Sequence, residues 1–179
     1  MSSPTLIESY TVHDYELWEG DWELIQGQPL AMTPSPGIVH QRLIAAIFRQ
    51  MDIALQNCPD CEALFEIDVE LAADTVVRPD LVVICYPAYG QRLTRAPELI
   101  FEVVSARSAR RDEMIKHEIY QQEGVEYYIL TYPELKKAKV YHLVHGTYQK
   151  LGDFQDERFI FELSKCHIEF DFSRIWSIL

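Results

Sequence analysis

The sequence predicts a mixed α/β fold, in which a central β-sheet is flanked by helices. Between residues 37 and 57, apolar side chains recur at the three-to-four spacing of an amphipathic helix. Residues 65–71 alternate between apolar and acidic side chains, as in a strand with one solvated face. Two continuous apolar runs, 81–85 and 99–104, suit central strands that are covered on both faces. This order of helical and strand-like segments predicts a mixed sheet.

The segments around these runs complete the predicted order of elements. Thr11 and Asp14 resemble a capping box and predict a short helix that ends near Gly20. The remaining predicted elements are strands at 22–25 and 30–32, a helix at 108–123 that stops at Gly124, and strands at 125–131, 139–144, 147–151 and 159–163.

Length and composition predict one soluble domain. The chain has 179 residues, of which 48% are apolar, enough for one sizeable core and short for two. Because we find no linker, low-complexity tract or repeat, we expect a single domain over residues 1–179. The first residues lack a basic region followed by an apolar one, and no apolar run approaches the roughly 18 residues of a membrane span. We therefore expect a cytoplasmic protein without a membrane partner.

The four cysteines are too few to predict a disulfide framework in a chain of this length. Cys58 and Cys61 form a CPDC motif, but a thioredoxin-type motif opens a helix after a strand, whereas this one follows a helix and precedes a strand. A single CxxC is also a weak metal-binding signal. Redox chemistry at this motif is therefore the third of our hypotheses.

The net charge of −12 excludes a protein that coats nucleic acid electrostatically, because phosphate contacts need a basic surface. It remains compatible with a localised basic site. Six of the 16 basic residues fall within 25 positions around the run 99–104, namely Arg92, Arg95, Arg107, Arg110, Arg111 and Lys116.

Glu102 is the most unusual residue, since it lies in the middle of the apolar run 99–104. Burying an ionised carboxylate costs on the order of several kcal/mol unless a partner, a metal or a raised pKa offsets it. Asp80 follows Pro79 directly before the run 81–85, so we expect its carboxylate at a strand end that faces a cleft. If the two strands are neighbours, the two carboxylates meet close enough to share a metal ion.

Lys116 lies on the predicted helix that follows, on one face with Asp112 and Tyr120, each four residues away. A helix packed back on the same sheet would bring this lysine over Glu102. Two acids and a lysine suit phosphodiester hydrolysis, because the acids can hold a divalent cation while the lysine positions the nucleophile or stabilises developing negative charge.

Each of these residues also has a purely structural explanation. Asp80 can cap a turn, as Pro-Asp often does. Glu102 can form a buried structural ion pair with an arginine or lysine. Lys116 can be a solvated helix residue that pairs with Asp112. The spacing among the three residues favours the functional interpretation.

Four stretches carry a resemblance to a known family: DWELIQGQPLAMTPSPGIVHQRLI, RPDLVVI, PELIFEVVS and RRDEMIKHEIYQQEGVEYYIL. Over about residues 11–145 they are similar to a restriction-endonuclease-like family abundant in cyanobacteria, long catalogued as a domain of unknown function, within the PD-(D/E)XK nuclease superfamily. The resemblance implies a restriction-endonuclease-like core and cleavage of DNA that depends on Mg²⁺ or Mn²⁺. It leaves a homodimer open.

The resemblance also implies roles for individual residues. Asp80, Glu102 and Lys116 match the catalytic positions. Asp80 and Glu102 match metal ligands, with Glu23 as a further metal or water ligand. His40 matches another position associated with the site.

Two positions depart from the related patterns. Val104 stands where the superfamily usually has its lysine, and the family takes that lysine from the next helix. The sequence SARSAR at 105–110 stands where the family more often has a Ser-Pro-Ser loop. This departure concerns the loop expected to face the substrate. The rival interpretation is a non-catalytic member of the same fold, whose acids form a binding or interaction site, and the acidic composition favours it.

Overall fold

The computed structural model describes residues 8–32 and 36–179. Residues 1–7, at the N-terminus expected to lack a signal segment, and 33–35, in the proline-rich loop, lie outside the described residues. Among the described helices, none combines the length and apolar character that a bilayer crossing requires. The assignment of residues 1–179 to one domain stays a prediction.

Residues 8–32 and 36–179 contain four α-helices and twelve strands. The helices are α1 (Val12–Tyr15), α2 (Ile38–Leu55), α3 (His117–Gln122) and α4 (Phe172–Trp176), with a π-helical turn over Arg111–Lys116 before α3 and a 3-10 turn over Pro133–Leu135. The strands are β1 (Trp22–Ile25), β2 (Gln28–Ala31), β3 (Glu62–Phe65), β4 (Val69–Ala72), β5 (Thr75–Val77), β6 (Leu81–Ile84), β7 (Leu99–Val103), β8 (Tyr127–Tyr132), β9 (Lys137–Val144), β10 (Thr147–Phe154), β11 (Arg158–Leu163) and β12 (Cys166–Asp171).

The largest sheet is mixed and has six strands in the order β10-β9-β8-β7-β6-β3. Strands β7 and β8 run parallel because the helical segment between them crosses over, and the other neighbours are antiparallel. A four-stranded sheet has the order β2-β1-β5-β4, and β11 and β12 form a hairpin. The predicted fold class, a mixed sheet flanked by helices, is confirmed.

Strand β7 sends successive side chains to opposite faces of the six-stranded sheet. Phe101 and Val103 join a core covered by α2, α4 and the β11–β12 hairpin, and we name this the α2 face. Ile100 and Val104 join a second core, packed against α3 and the four-stranded sheet, which we name the α3 face. Glu102 stands between these two residues in the alternation, so it points to the α3 face.

The predicted amphipathic helix is confirmed as α2. Its apolar residues Leu43, Ile47 and Met51 are fully buried on the α2 face. The capping box of α1 is also present, because Thr11 and Asp14 each accept from the other's backbone N–H.

The single strand predicted at 65–71 is wrong. Glu66 has a left-handed backbone, with φ of 51°, and separates β3 from β4. Strand β3 pairs with β6 in the large sheet, whereas β4 pairs with β5 in the four-stranded sheet. The alternating pattern therefore belongs to two short strands in different sheets.

The cysteines form two disulfides, so the expectation of no disulfide framework is wrong. Cys58 pairs with Cys166 and Cys61 pairs with Cys85, at Cα separations of 5.7 and 3.9 Å. The partners are 108 and 24 residues apart in sequence, and the fold brings them together beside the α2 face. Disulfides persist mainly in oxidising compartments, so this pairing does not favour the cytoplasmic location, which stays a prediction.

Candidate active site

A cleft of about 490 Å³ is lined by residues of β1, the start of α2, the segment between β5 and β6, the end of β7 and the π-helical turn. Its charged lining is acidic on balance. The acids are Asp21, Glu23, Glu66, Asp80, Glu102 and Asp112, and the bases are Arg78, Arg107, Arg111 and Lys116.

Asp80 and Glu102 line the same cleft from neighbouring antiparallel strands. Leu81 is paired with Phe101, so continuing the register places Asp80 opposite Glu102, where both side chains leave the same face of the sheet. The Asp80 Oδ2 atom accepts a 2.7 Å hydrogen bond from the Val103 N–H, which ties its carboxylate to β7. The predicted neighbouring strands are confirmed, and a shared metal ion stays a prediction.

Lys116 lies directly over Glu102, as the sequence predicts. Its Nζ atom is 2.9 Å from Oε1 of Glu102 and 2.9 Å from Oε1 of Glu23. The Tyr120 hydroxyl donates to the same Glu102 oxygen at 2.9 Å. Glu102 and Lys116 are each only 3% exposed, so the lysine supplies the buried partner that the carboxylate needs.

Glu23 accepts from three donors although it is only 1% exposed. Its Oε1 atom accepts from Lys116 and from the Arg78 N–H at 2.9 Å, and its Oε2 atom lies 3.1 Å from Nη1 of Arg111. The Arg78 N–H stands two residues before Asp80 in the chain. Glu23 therefore connects β1 with the π-helical turn and with the segment between β5 and β6.

The loop 105–110 leads from β7 into the helical segment. The Ser105 and Ser108 side chains each accept from the other's backbone N–H, at distances of 3.2 and 3.0 Å. This reciprocal arrangement caps the segment and fixes its start beside the cleft. SARSAR thus forms a hydrogen-bonded turn at the cleft.

Burial and neighbouring charges shift the pKa values of the central pair. Burial is the largest influence on Glu102 and raises its pKa, against the opposing charge of Lys116, while the nearby charges of Asp80 and Asp112 raise it further. For Lys116, burial favours the neutral amine, but the charges of Glu102, Glu23 and Asp112 outweigh it and raise the pKa. Lys116 is therefore an ammonium group at neutral pH.

His40 contacts Asp80 from the first turn of α2, with 3.0 Å between Nε2 and Oδ1. Burial acts to lower the pKa of His40, but its hydrogen bond and charge interaction with Asp80, with Glu66 and Asp112 adding to it, raise the pKa overall. Its Nδ1 atom is buried and has no hydrogen-bond partner among residues 8–32 and 36–179.

The predicted basic cluster only partly faces the cleft. Arg107, Arg111 and Lys116 line it. Arg92 instead pairs with Glu16 and Glu70, and Arg95 lies over the Tyr86 ring. Arg110 is exposed and is not part of the lining. Proximity in sequence therefore predicted more basic residues at the cleft than the fold brings there.

Comparisons with known proteins place the chain in a family. The model of the Uma2 family, described as "Putative restriction endonuclease", matches residues 12–164. The chain belongs to the Uma2 family. A crystal structure of a protein from Anabaena variabilis ATCC 29413, described as a putative nuclease belonging to DUF820, has a TM-score of 0.76 and 15% identity, over 94% of this chain and 98% of that one. This similarity shows the shared fold. No curated protein has a significant match.

Two cleft residues of this Uma2 chain were not assigned to the site from the sequence. The sequence allows Asp112 to be an exposed partner of Lys116, but its side chain is buried, at 3% exposure, and lines the cleft. Burial is the main cause of the raised pKa of Asp112. Arg78 also lines the cleft and pairs with Asp68 and Asp21. For Asp112, the sequence signal was its four-residue spacing from Lys116, which places both side chains on one helix face.

A divalent cation at Asp80 and Glu102 would be held by two carboxylates rather than three. Within the described ranges, no group of three or more His, Cys, Asp or Glu side chains is arranged to hold a metal ion. In the same ranges, the hydrogen bonds to the Glu102 side chain go to Oε1, which leaves Oε2 for another ligand. Mg²⁺ commonly binds through one or two carboxylates and keeps waters or substrate phosphates in its other positions.

Proposed function

We propose that this Uma2 chain is a divalent-metal-dependent endonuclease that hydrolyses DNA phosphodiester bonds. The observation that carries the proposal is the convergence of the Lys116 ammonium on Glu102 in a cleft that Asp80 also lines. The family description and the description of the Anabaena protein as a putative nuclease support the same reaction class.

Asp80 and Glu102 would hold the cation, Mg²⁺ or Mn²⁺. Their positions on paired strands fix one carboxylate beside the other, and the Val103 N–H orients that of Asp80. When bound, the cation would lower the pKa of a coordinated water and stabilise negative charge on the phosphate oxygens. Burial is the main cause of the raised pKa of Glu102, and the negative charges of Asp80 and Asp112 raise it further. These two neighbouring charges would favour a cation at this point.

Lys116 would act as a fixed positive charge. Its raised pKa keeps the ammonium protonated at neutral pH, which makes it a hydrogen-bond donor rather than a general base. Two of its three N–H donors point to Glu102 and Glu23, so one remains for a phosphate oxygen or the attacking water. A donor placed where charge develops lowers the barrier because it needs no reorganisation during the reaction.

The chain's charge makes DNA binding depend on the cleft. Six acids line it and would repel a phosphate, but Arg107 and Arg111 stand at the same surface. We expect weak affinity for DNA at a net charge of −12, supported by these arginines and by the cation.

A plasmid-cleavage assay across divalent metals tests the proposal. The parent should nick or cleave DNA with Mg²⁺ or Mn²⁺, and Asp80→Ala and Glu102→Ala should abolish cleavage while the circular dichroism spectrum is retained. Lys116→Ala should lower the rate by about 10²–10³-fold. Glu118→Gln, an exposed change on α3, is the control and should cleave like the parent.

Equal cleavage by the parent and Asp80→Ala would assign the activity to a contaminant. Absence of cleavage in the parent with every metal, together with unchanged melting on metal addition, would favour the non-catalytic interpretation. The buried Glu102–Lys116 pair is the observation that favours it, since this pair is complete without metal.

A further inference from the structure

We infer that Glu23 is a positioning residue that holds Lys116 and Arg111 in place, rather than a metal ligand of the site. The inference rests on the proposed function, because positioning has a purpose only if Lys116 and Arg111 act on a phosphate. It replaces the role in metal binding that the family resemblance implies for Glu23.

The first argument is the occupancy of the Glu23 carboxylate. Both of its oxygens accept hydrogen bonds, from two cationic side chains and one backbone N–H, in a position that is 1% exposed. A divalent cation at this carboxylate would stand beside the positive charges of Lys116 and Arg111 and would have to displace one of them. Asp80 and Glu102 carry fewer such obstacles. Asp80 is held by one backbone N–H and His40, and the two donors to Glu102 both contact Oε1.

The second argument is the π-helical turn itself. Arg111 and Lys116 are five residues apart, and in an α-helix they would point about 140° away from each other. A π-helix bonds residue i to residue i+5 and so aligns these positions. The turn covers Arg111–Lys116 and no further, and these two side chains are the ones that reach the opposite oxygens of Glu23. The π-helical turn thus brings the side chains of Arg111 and Lys116 to the same carboxylate.

The third argument is what the contacts leave available. Arg111 is about one-fifth exposed, lines the cleft and uses Nη1 towards Glu23, so its other N–H donors can meet a phosphate. Lys116 is held between Glu23 and Glu102 and keeps one donor. Through the Arg78 N–H, the same carboxylate also fixes the chain that leads to Asp80. One buried acid therefore orients three parts of the site.

Calorimetric titration of the full chain with Mn²⁺ separates positioning from metal binding. Asp80→Asn should weaken Mn²⁺ binding by about tenfold or more, because it removes a ligand. Glu23→Gln should change the dissociation constant only about as much as Asp21→Asn, since each removes one negative charge from the cleft lining. Asp21 pairs with Arg78, and within the described part of the chain it forms no ion pair with Lys116 or Arg111, so it is the matched control.

A second measurement reports on the lysine without metal or DNA. In the parent, the ¹H–¹⁵N spectrum of the lysine ammonium groups should contain a signal protected from solvent exchange, which Lys116→Met removes. In Glu23→Gln this signal should shift or broaden, and kcat for DNA cleavage should fall by about tenfold or more, while the Mn²⁺ affinity changes no more than it does in Asp21→Asn. If Glu23→Gln does not fold, Glu23→Asp keeps the charge but withdraws the carboxylate, and the same shift is expected.

The outcomes are distinguishable from those of the proposed function. Glu23→Gln weakening Mn²⁺ binding as much as Asp80→Asn would overturn the inference, and so would an unchanged Lys116 signal in the variant. If the parent binds no Mn²⁺, the proposed function fails, and the Lys116 signal alone then decides whether Glu23 positions the lysine.

Discussion

The α2 face and the α3 face belong to the same sheet, but they bury different kinds of side chain. On the α2 face, Phe101 packs against Phe170 and Phe161, with ring centroids 5.3 and 6.1 Å away, and two disulfides lie at its edge. On the α3 face, the next residue of the same strand is Glu102, which is buried with Lys116. Apolar burial stabilises the first face, whereas desolvated charges on the second cost free energy. The difference indicates that the α2 face is an apolar core, whereas the α3 face combines an apolar core with a buried charge cluster that borders the cleft.

The largest expected effect comes from breaking the charge cluster of the α3 face. Lys116→Met leaves Glu23 and Glu102 buried without their shared ammonium, so we expect the free energy of unfolding to fall by about 3–5 kcal/mol. Urea denaturation measures it. Lys139→Met removes a partly exposed lysine from its pair with Glu113 and should change stability by less than about 1 kcal/mol. Similar losses in the two variants would mean that the buried cluster is not tightly coupled.

On the α2 face, the disulfides should affect stability without affecting the site. The double substitution Cys58→Ser and Cys166→Ser opens a link across 108 residues and should lower the free energy of unfolding by about 2–4 kcal/mol. Urea denaturation of the variant and the parent without reductant measures this change, because a thiol reductant would open both disulfides of the parent. Mn²⁺ affinity should stay at the parent value, and a loss of affinity would show that the two faces are not independent.

Neighbouring residues of β7 give the sharpest contrast between the faces. Phe101→Ala should cost about 3–5 kcal/mol, because it opens a cavity in an aromatic core. Without metal, Glu102→Gln should be no less stable than the parent. Burial already raises the pKa of Glu102 and so disfavours its ionised form, the amide oxygen can still accept from Lys116 and Tyr120, and Lys116 keeps Glu23. Urea denaturation gives the free energy of unfolding of both variants. A decrease of more than about 2 kcal/mol in Glu102→Gln would favour a structural ion pair between Glu102 and Lys116.

The smallest expected effect is a pH dependence at the edge of the α3 face. His117 packs edge-on against Tyr141 and Tyr148, and burial lowers its pKa below the ordinary value near 6.5. The folded state then binds this proton less well than the unfolded chain. The contribution of His117 is therefore fully present above about pH 6.5 and is lost as the pH falls through the lowered pKa.

Melting temperatures at pH 7.5 and pH 5 test this dependence. His117→Phe should reduce the drop in melting temperature between the two pH values, while His167→Gln, at an exposed position of β12, should leave the parent's drop unchanged. An identical drop in the parent and in His117→Phe would remove His117 from the account.

The sequence predicted those parts of the structure that depend on local pattern. Glu102 was conspicuous because a carboxylate in an apolar run needs a partner, and the four-residue spacing from Lys116 to Tyr120 correctly placed both side chains over it. The parts that were not predicted depend on the tertiary fold. The alternation over 65–71 cannot reveal that Glu66 sends the chain into another sheet, and no local signal pairs Cys58 with Cys166.

The π-helical turn and the contacts of Glu23 were also beyond local pattern. A regular α-helix over 108–123 would not align Arg111 with Lys116, so their shared partner could not be inferred from spacing. Strand β12 was not among the predicted strands, but it is a different case, because local pattern does indicate it: Cys166, Ile168 and Phe170 alternate with polar residues, as in a strand with one buried face.

An anomalous difference map from crystals soaked in Mn²⁺ tests whether Asp80 and Glu102 bind a divalent cation, because it locates the ion without requiring activity. We predict a peak between the carboxylates of Asp80 and Glu102, absent from crystals of Asp80→Asn soaked in the same way. A peak at Glu23 in place of Lys116, or no peak in this cleft at a Mn²⁺ concentration that saturates known two-carboxylate sites, would contradict the account.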